Sequence, residues 1–314
     1  HHPQPQIMKI LVTGGAGFIG SHIVELFQDQ AEEIRVLDNL RSGFLHNIAP
    51  FKHTFIEGGI MDKAILRKAM EGVDYVFHLA AMISVPESMS APEECVQLNT
   101  IGTLNVLDAA AKAGARKLVL STSAAIYGDN PVVPKREEMA PEPKSPYAVT
   151  KLDAEYYCGM YTREHGLPTA CLRYFNVFGP RQNPKSQYAA AVPIFIEKAL
   201  RNETLTIFGD GGQTRDFIFV KDIARANAFF ATQSDATGVH NVAYGGTITI
   251  NELAEKIIRL TGSRSPIVHA PMRAGDVRHS YAAVEKLQAT GFKPEFNFES
   301  GMAQTIDFYR GVQK

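Results

Sequence analysis

Lys9-Ile10-Leu11-Val12-Thr13-Gly14-Gly15-Ala16-Gly17-Phe18-Ile19-Gly20 decides the fold. Its first five residues form a short apolar run that stops at glycine, the pattern of a strand buried on both faces of a parallel sheet. From Phe18 to Gln28 the apolar residues recur at helical spacing. Between strand and helix stand three glycines with separate tasks. Gly14 permits the tight turn, Gly17 lets a pyrophosphate approach the backbone, and Gly20 lets helix and strand pack closely. The helix start then offers free N–H groups and a positive dipole end to phosphate. The spacing is G-x-x-G-x-x-G, and its place after the first strand points to a bound dinucleotide.

The same rhythm continues downstream. Strands are expected at Glu33 to Asp38, His53 to Glu57, Asp74 to Ala80, Arg116 to Ser121 and Thr169 to Tyr174. Helical patterns lie between most of them, the longest from about Glu93 to Lys112 and from Tyr147 to Glu164. Alternating strands and helices imply an α/β fold, a Rossmann-type doubly wound parallel sheet covered on both faces. After Gly179-Pro180-Arg181 the segments shorten and the loops gain Gly and Pro. The reading is a dinucleotide-binding domain over residues 8–178 and a smaller C-terminal α/β substrate lobe over 179–314. Some elements, such as Val239 to Ala243, return to the main sheet.

Asp38 ends the second strand, 18 residues beyond Gly20. A carboxylate there meets the adenosine ribose hydroxyls and repels a 2′-phosphate, which favours NAD over NADP.

Composition narrows the remaining classes. A net charge of −1 gives no general field for nucleic acid or an anionic membrane. An anionic ligand must therefore be held by local arginines. A hydrophobic fraction of 45% with 21% charged residues is that of a soluble globular protein. No apolar run reaches membrane-spanning length and no signal peptide precedes Met8. Cys95, Cys158 and Cys171 show no metal spacing and read as reduced, packed thiols of a cytoplasmic protein. His1 to Ile7 reads as a tag remnant, with Met8 as the native start.

The candidate chemistry sits further along. Tyr147 and Lys151 are four residues apart in a helical stretch and share one side of it. A free tyrosine, with a pKa of about 10, is a poor base near neutrality. A neighbouring ammonium and a cationic nicotinamide both favour the phenolate and are expected to lower that value. Lys151 can also hold the nicotinamide ribose. Ser121-Thr122-Ser123-Ala124-Ala125-Ile126-Tyr127-Gly128 follows the fifth strand, where ligands bind in such sheets. A hydroxyl there can share a hydrogen bond with a substrate hydroxyl and the tyrosine.

Taken together, these segments resemble the extended short-chain dehydrogenase/reductases, and within them the NAD-dependent UDP-sugar 4-epimerase branch. The resemblance runs in order through Val12 to Gly20, Leu37-Asp38-Asn39-Leu40, His78-Leu79-Ala80-Ala81, Ser121 to Gly128, Ser145 to Lys151 and Leu172 to Pro180. It continues through Gln213 to Asp222 and Arg273-Ala274-Gly275-Asp276-Val277. It implies Ser123, Tyr147 and Lys151 as the catalytic trio. It implies Gly14, Gly17, Phe18, Ile19, Asp38, Asn39, Ile60, Leu79, Ala80, Ala81, Asn99, Tyr147 and Lys151 as contacts to NAD. For a UDP-sugar it implies Ser84, Ser123, Tyr147, Asn176, Arg215, Arg273 and Ser280. Guanidinium forks suit phosphate oxygens, as this assignment of the arginines requires. A homodimer is implied too, through the two longest helices packing as a four-helix bundle.

One departure concerns the cofactor. Related enzymes usually carry Gly-Asp-Ile after the third strand, where the acid accepts the adenine amino group. This chain has Gly58-Gly59-Ile60, so that contact is missing or comes from backbone or water. A second departure concerns the reaction. Dehydratases and decarboxylases of the branch place an acid before the Tyr-Gly of the fifth-strand motif, and here Ala124 and Ala125 stand there. Alanine cannot transfer a proton, which leaves redox-neutral C4 epimerisation through a transient 4-keto sugar. At the position of Ser280, galactose-specific relatives carry a bulky tyrosine. The small serine leaves room for a 2-acetamido group. The reading is interconversion of UDP-GlcNAc and UDP-GalNAc, with UDP-Glc and UDP-Gal as additional substrates. A UDP-glucose 4-epimerase with little acetamido activity, another UDP-sugar epimerase of the branch, and an NAD-sensing member without chemistry stay open as alternatives.

Overall fold

The computed structural model describes residues 7–186 and 190–313. The tag expected at His1 to Ile7 lies, apart from Ile7, outside them. Two compact units emerge, the first from the described parts of residues 1–128, 140–174 and 223–240, the second from 129–139, 175–222 and 241–314. The sequence reading placed one boundary at residue 178. The chain instead passes between the units repeatedly, and residues 129–139 already belong to the second.

The first unit is built on β1 (Lys9–Thr13), β2 (Glu33–Asp38), β3 (Thr54–Glu57), β4 (Tyr75–His78), β5 (Lys117–Ser123) and β6 (Thr169–Tyr174). Pairing is parallel from β3 through β6, with Ile10 opposite both Ile34 and Tyr75, and Leu120 opposite Cys171. Among the described residues the sheet has seven strands in the order Gly238–Val242, β6, β5, β4, β1, β2, β3. The order reverses between β1 and β4, and a crevice opens at the carboxyl ends of strands at such a point.

Several strand ends differ from the sequence reading by one or two residues, three of them for a visible local reason. The Asp74 carboxylate accepts the Lys9 backbone N–H at 2.8 Å, so β4 starts after it. The N–H groups of Leu79 and Ala80 donate to Thr13 Oγ1 at 3.0 and 3.1 Å, so β4 stops at His78. β5 runs two residues further than expected because Thr122 and Ser123 still face Arg173 and Tyr174 of β6.

Helix α1 (Phe18–Phe27) follows β1, and α2 (Lys63–Met70) follows β3. The long helix expected from Glu93 is not uniform. After α3 (Val85–Ser90) come α4 (Pro92–Cys95), a π-helical segment Val96–Ile101, and α5 (Gly102–Ala113), which ends at Gly114 with φ +74°. The wide turn carries Asn99. Its Oδ1 accepts from Met82 N–H at 2.7 Å and its Nδ2 donates to Thr150 Oγ1 at 3.1 Å. A π-turn is thus held open by a buried amide that ties the loop after β4 to α6 (Pro146–Glu164). One sheet face buries Leu11, Val76 and Leu118 against Leu66 and Met70 of α2 and Val106 of α5. Each such side chain contributes about 1.5–3 kcal/mol by leaving water.

In the second unit, Asn176–Phe178 pairs with Phe217–Phe219, and Leu205–Phe208 with Ile267–Ala270. Thr214–Arg215 lies between Ile248–Thr249 and His279–Ser280. Phe178, Phe217, Phe219 and Phe298 form an aromatic cluster with ring centroids 5.6–6.5 Å apart. No helix among the described residues is long and apolar enough to cross a membrane.

Candidate active site

The turn after β1 is shaped by what a side chain would strike. Gly14 has φ +71°, and a Cβ there would lie 2.8 Å from Ala80 N. A Cβ on Gly20 would overlap the Gly14 carbonyl oxygen. At Gly17 it would meet that same oxygen at 3.3 Å and nothing else within 4 Å, so Gly17 faces open space. No side chain caps α1, which leaves its first N–H groups for a ligand. Beyond this turn opens a cleft of about 230 Å³, lined entirely by residues of the first unit.

The cleft gathers most of the residues read as cofactor contacts. Gly14, Gly17, Phe18 and Ile19 form one wall, Asp38, Asn39 and Ile60 another, and Leu79, Ala80 and Ala81 a third. Tyr147 and Lys151 close the far end. Asp38 Oδ2 accepts from Ala16 N–H at 3.0 Å and Oδ1 from Leu40 N–H at 2.8 Å, which fixes the carboxylate at the rim. Asn99 does not line the cleft; it is the brace of the π-turn. Ser84 does not line it either. Its hydroxyl accepts from Glu87 N–H at 3.1 Å and caps α3.

Tyr147 enters on the first turn of α6. Ser145 caps that helix by accepting from Ala148 N–H at 3.1 Å, and Pro146 fits its first position. Tyr147 N–H donates to Ser88 Oγ at 3.1 Å. One turn on, Lys151 Nζ donates to the Ser121 carbonyl at 3.1 Å and sits 5.8 Å from the Tyr147 ring centre. Ser123 ends β5, its hydroxyl accepts from Ala125 N–H at 3.0 Å, and it lies near enough to Tyr147 to pull the phenol down. Sequence reasoning expected a lowered phenol. Burial instead pushes Tyr147 up to about 12, against the downward pull of Ser123. Burial also lowers Lys151 to about 8, opposed by Cys95 and Glu155. Desolvation disfavours both charged forms at once, so the phenolate needs a positive partner beyond these side chains.

Three buried networks hold the site and were not assigned from sequence. Thr13, His78 and Thr103 link β1, β4 and α5. Ser121 Oγ lies 2.7 Å from the Tyr174 hydroxyl, which accepts from Asn227 Nδ2 at 2.8 Å. Glu155 takes Arg173 Nε at 2.9 Å and Nη2 at 2.6 Å, and also the Thr122 hydroxyl at 3.0 Å. The signal was present: Arg173 and Tyr174 are polar interruptions in an otherwise apolar strand.

In the second unit, Arg215 Nη1 donates to Thr214 O and Nη2 to Val277 O, both at 2.7 Å. Its guanidinium therefore anchors the loop that carries Arg273. Arg273 lies over the Phe208 ring, 3.7 Å from its centre. Ser280 faces Arg215 in register. Asn176 N–H donates to Asp216 O at 3.0 Å. Arg215, the Arg273 loop and Ser280 thus belong to one local structure.

Compared with known proteins, residues 10–243 match the NAD dependent epimerase/dehydratase family. The chain belongs to that family. Among solved structures, this family member resembles the UDP-N-acetylglucosamine 4-epimerase of Methanobrevibacter ruminantium M1 in complex with UDP-N-acetylmuramic acid. Identity is 42% and the TM-score 0.94, over 98% of this chain and 99% of the other. The UDP-glucose 4-epimerase of Thermotoga maritima with UDP-glucose is 38% identical, with a TM-score of 0.93 over 98% and 100% of the chains. The Thermus thermophilus UDP-glucose 4-epimerase complex with NAD is 37% identical, with a TM-score of 0.88 over 97% and 100%. The protein is an NAD-dependent epimerase of the Rossmann type, and its residues fit the cofactor. A Cβ-free turn faces the pyrophosphate position, a fixed carboxylate stands where a ribose binds, and Tyr147 with Lys151 closes the far end.

Proposed function

We propose that the protein interconverts the C4 epimers of UDP-hexoses, UDP-GlcNAc with UDP-GalNAc and also UDP-Glc with UDP-Gal, through a transient 4-keto sugar. The observation that carries this reading is Tyr147 with Lys151 one turn away at the end of the NAD cleft, and Ser123 close enough to pull the phenol down. Tyr147 takes the proton of the sugar 4-hydroxyl, with Ser123 orienting both oxygens, and later returns it. A bound NAD would supply the hydride acceptor for C4 and a positive charge that, with Lys151, favours the Tyr147 phenolate. Lys151, fixed on the Ser121 carbonyl, holds the ribose beside it. Asn176, Arg215 and Arg273 keep the UDP bound while the sugar turns, so that remote binding energy retains the intermediate. No acid stands at Ala124 or Ala125, so elimination has no proton donor there.

Ser280 supports the acetamido substrates, because a small side chain beside Arg215 leaves room that a tyrosine would fill. A homodimer is supported by the apolar side chains exposed on the two longest helical stretches, Val96 and Ile101 on the first and Val149, Tyr156 and Met160 on α6. Cys95, Cys158 and Cys171 are buried and unpaired, as a cytoplasmic location would have them. Incubation with each UDP-hexose, with the C4 configuration read by NMR, tests the function. Products inverted at C4 are expected, and unaltered substrate with saturating NAD would refute it.

A further inference from the structure

The base end of the cofactor cleft holds an unusual set of groups. Asp38 marks the ribose position, so the part of the cleft beyond it, lined by Asn39, Gly58, Gly59 and Ile60, receives the base. Two backbone acceptors there are already engaged. The Gly59 carbonyl accepts from Asp62 N–H at 3.1 Å. The Ile60 carbonyl accepts from Asn105 Nδ2 at 3.1 Å. Asp62, outside the lining, caps α2 through Oδ1, which accepts from Ala64 and Ile65 N–H, both at 3.1 Å.

Asn39 is turned the other way. Its Oδ1 accepts from Arg41 backbone N–H at 3.0 Å. A backbone N–H can only donate, so the amide orientation is fixed by chemistry, and Nδ2 is the atom left for the cleft. That Nδ2 lies 3.9 Å from where a Cβ on Gly59 would stand, and nothing else lies within 4 Å of that point. The side chain missing at residue 59 therefore leaves a space bordered by an N–H donor.

We propose that this chain reads the cofactor base through the Asn39 amide N–H and does not select its 6-amino group. A 6-oxopurine is then accepted about as well as adenine. An amide donor can serve N1 or N7 of adenine, and equally O6 or N7 of hypoxanthine. A carboxylate at the same place would accept from the amino group and repel the 6-oxygen. The inference rests on NAD being the cofactor and concerns residues that the proposed reaction does not use.

Equilibrium titration of the full chain, freed of nucleotide, with NAD and with nicotinamide hypoxanthine dinucleotide tests it without recourse to turnover. The wild type is expected to bind the two within about threefold of each other. Asn39→Asp keeps an oxygen for Arg41 N–H and replaces the exposed N–H with an acceptor. It is expected to favour NAD by about tenfold or more, the scale of one charge-assisted hydrogen bond. Gly59→Asp, for which a Cβ has room, is expected to shift the ratio the same way, which keeps the test open if Asn39→Asp folds poorly. A wild-type preference for NAD of about tenfold, or a ratio unmoved in both variants, overturns the inference. Failure of the wild type to bind either dinucleotide overturns the NAD reading instead.

Discussion

Thr13 Oγ1 stands 2.6 Å from His78 Nδ1 at the point where the strand order reverses. The threonine oxygen already accepts from the N–H groups of Leu79 and Ala80. Its own hydrogen therefore goes to Nδ1, and Nε2, 3.0 Å from Thr103 Oγ1, carries the ring proton. A second ring proton would break this arrangement. The contact does more than join two strands. It holds the backbone of Leu79 and Ala80 against Gly14, and so sets the width of the crevice.

This relationship has a pH consequence. Burial, with a smaller contribution from Lys151, holds His78 at about 3 instead of 6.5. Between those values the unfolded chain binds a proton that the folded chain does not. The stability contributed is complete above pH 6.5 and is lost as pH falls toward 3. Denaturant titrations should show stability falling by up to about 1.4 kcal/mol per pH unit below 6.5 from this group. Whatever His78→Gln costs at pH 7.5, its slope in that window should be flatter by about that amount. Parallel slopes in the two proteins would show that His78 is not the group responsible.

Tyr147→Phe separates chemistry from binding. Loss of the phenol proton should lower kcat by about a hundredfold or more. NAD affinity should change little, because the ring and the Lys151 contact to Ser121 remain. Rapid-quench turnover and dinucleotide titration of the same preparation check both halves. Substantial turnover in the variant would remove Tyr147 from the proton path.

Gly20→Ala tests the glycine turn. Its Cβ would overlap the Gly14 carbonyl oxygen and lie 2.7 Å from Gly15 Cα. Backbone on both sides cannot yield as a flexible side chain does, so α1 must shift away from β1. A stability loss of about 1–3 kcal/mol is expected, with weakened NAD binding. Thermal melts with and without NAD measure it, and an unchanged melt would mean that α1 does not pack as described.

Ser280→Tyr probes the sugar. Turnover of UDP-GlcNAc should fall by about tenfold or more relative to UDP-Glc, the scale of a steric change in a binding pocket. Equal losses on both substrates, measured as kcat/KM, would show that residue 280 does not discriminate.

Much of this was legible in the chain. The run Lys9 to Gly20 and the alternation after it specify a parallel sheet, because buried strands and glycine turns leave strong local patterns. Asp38, Tyr147 and Lys151, read from their spacing together with the neighbouring motifs, all line the cleft. Three features could not be read in this way. The π-turn at Asn99 depends on partners at Met82 and Thr150, far off in sequence. Of the interleaving of the two units, the return of Val239 to Ala243 to the sheet was legible, but the early crossing at residues 129–139 was not, because it depends on long-range contacts. The burial that raises the Tyr147 phenol leaves no mark in spacing; it opposes the lowering expected from Lys151 and a bound nicotinamide.

The central claim is that hydrogen leaves C4 of the sugar as hydride and returns to the same carbon. Epimerisation of UDP-GlcNAc in D₂O, followed by proton NMR, tests it most directly. UDP-GalNAc that keeps its protium at C4 is the predicted result. Deuterium at C4, or no inversion at all with NAD bound, would contradict it.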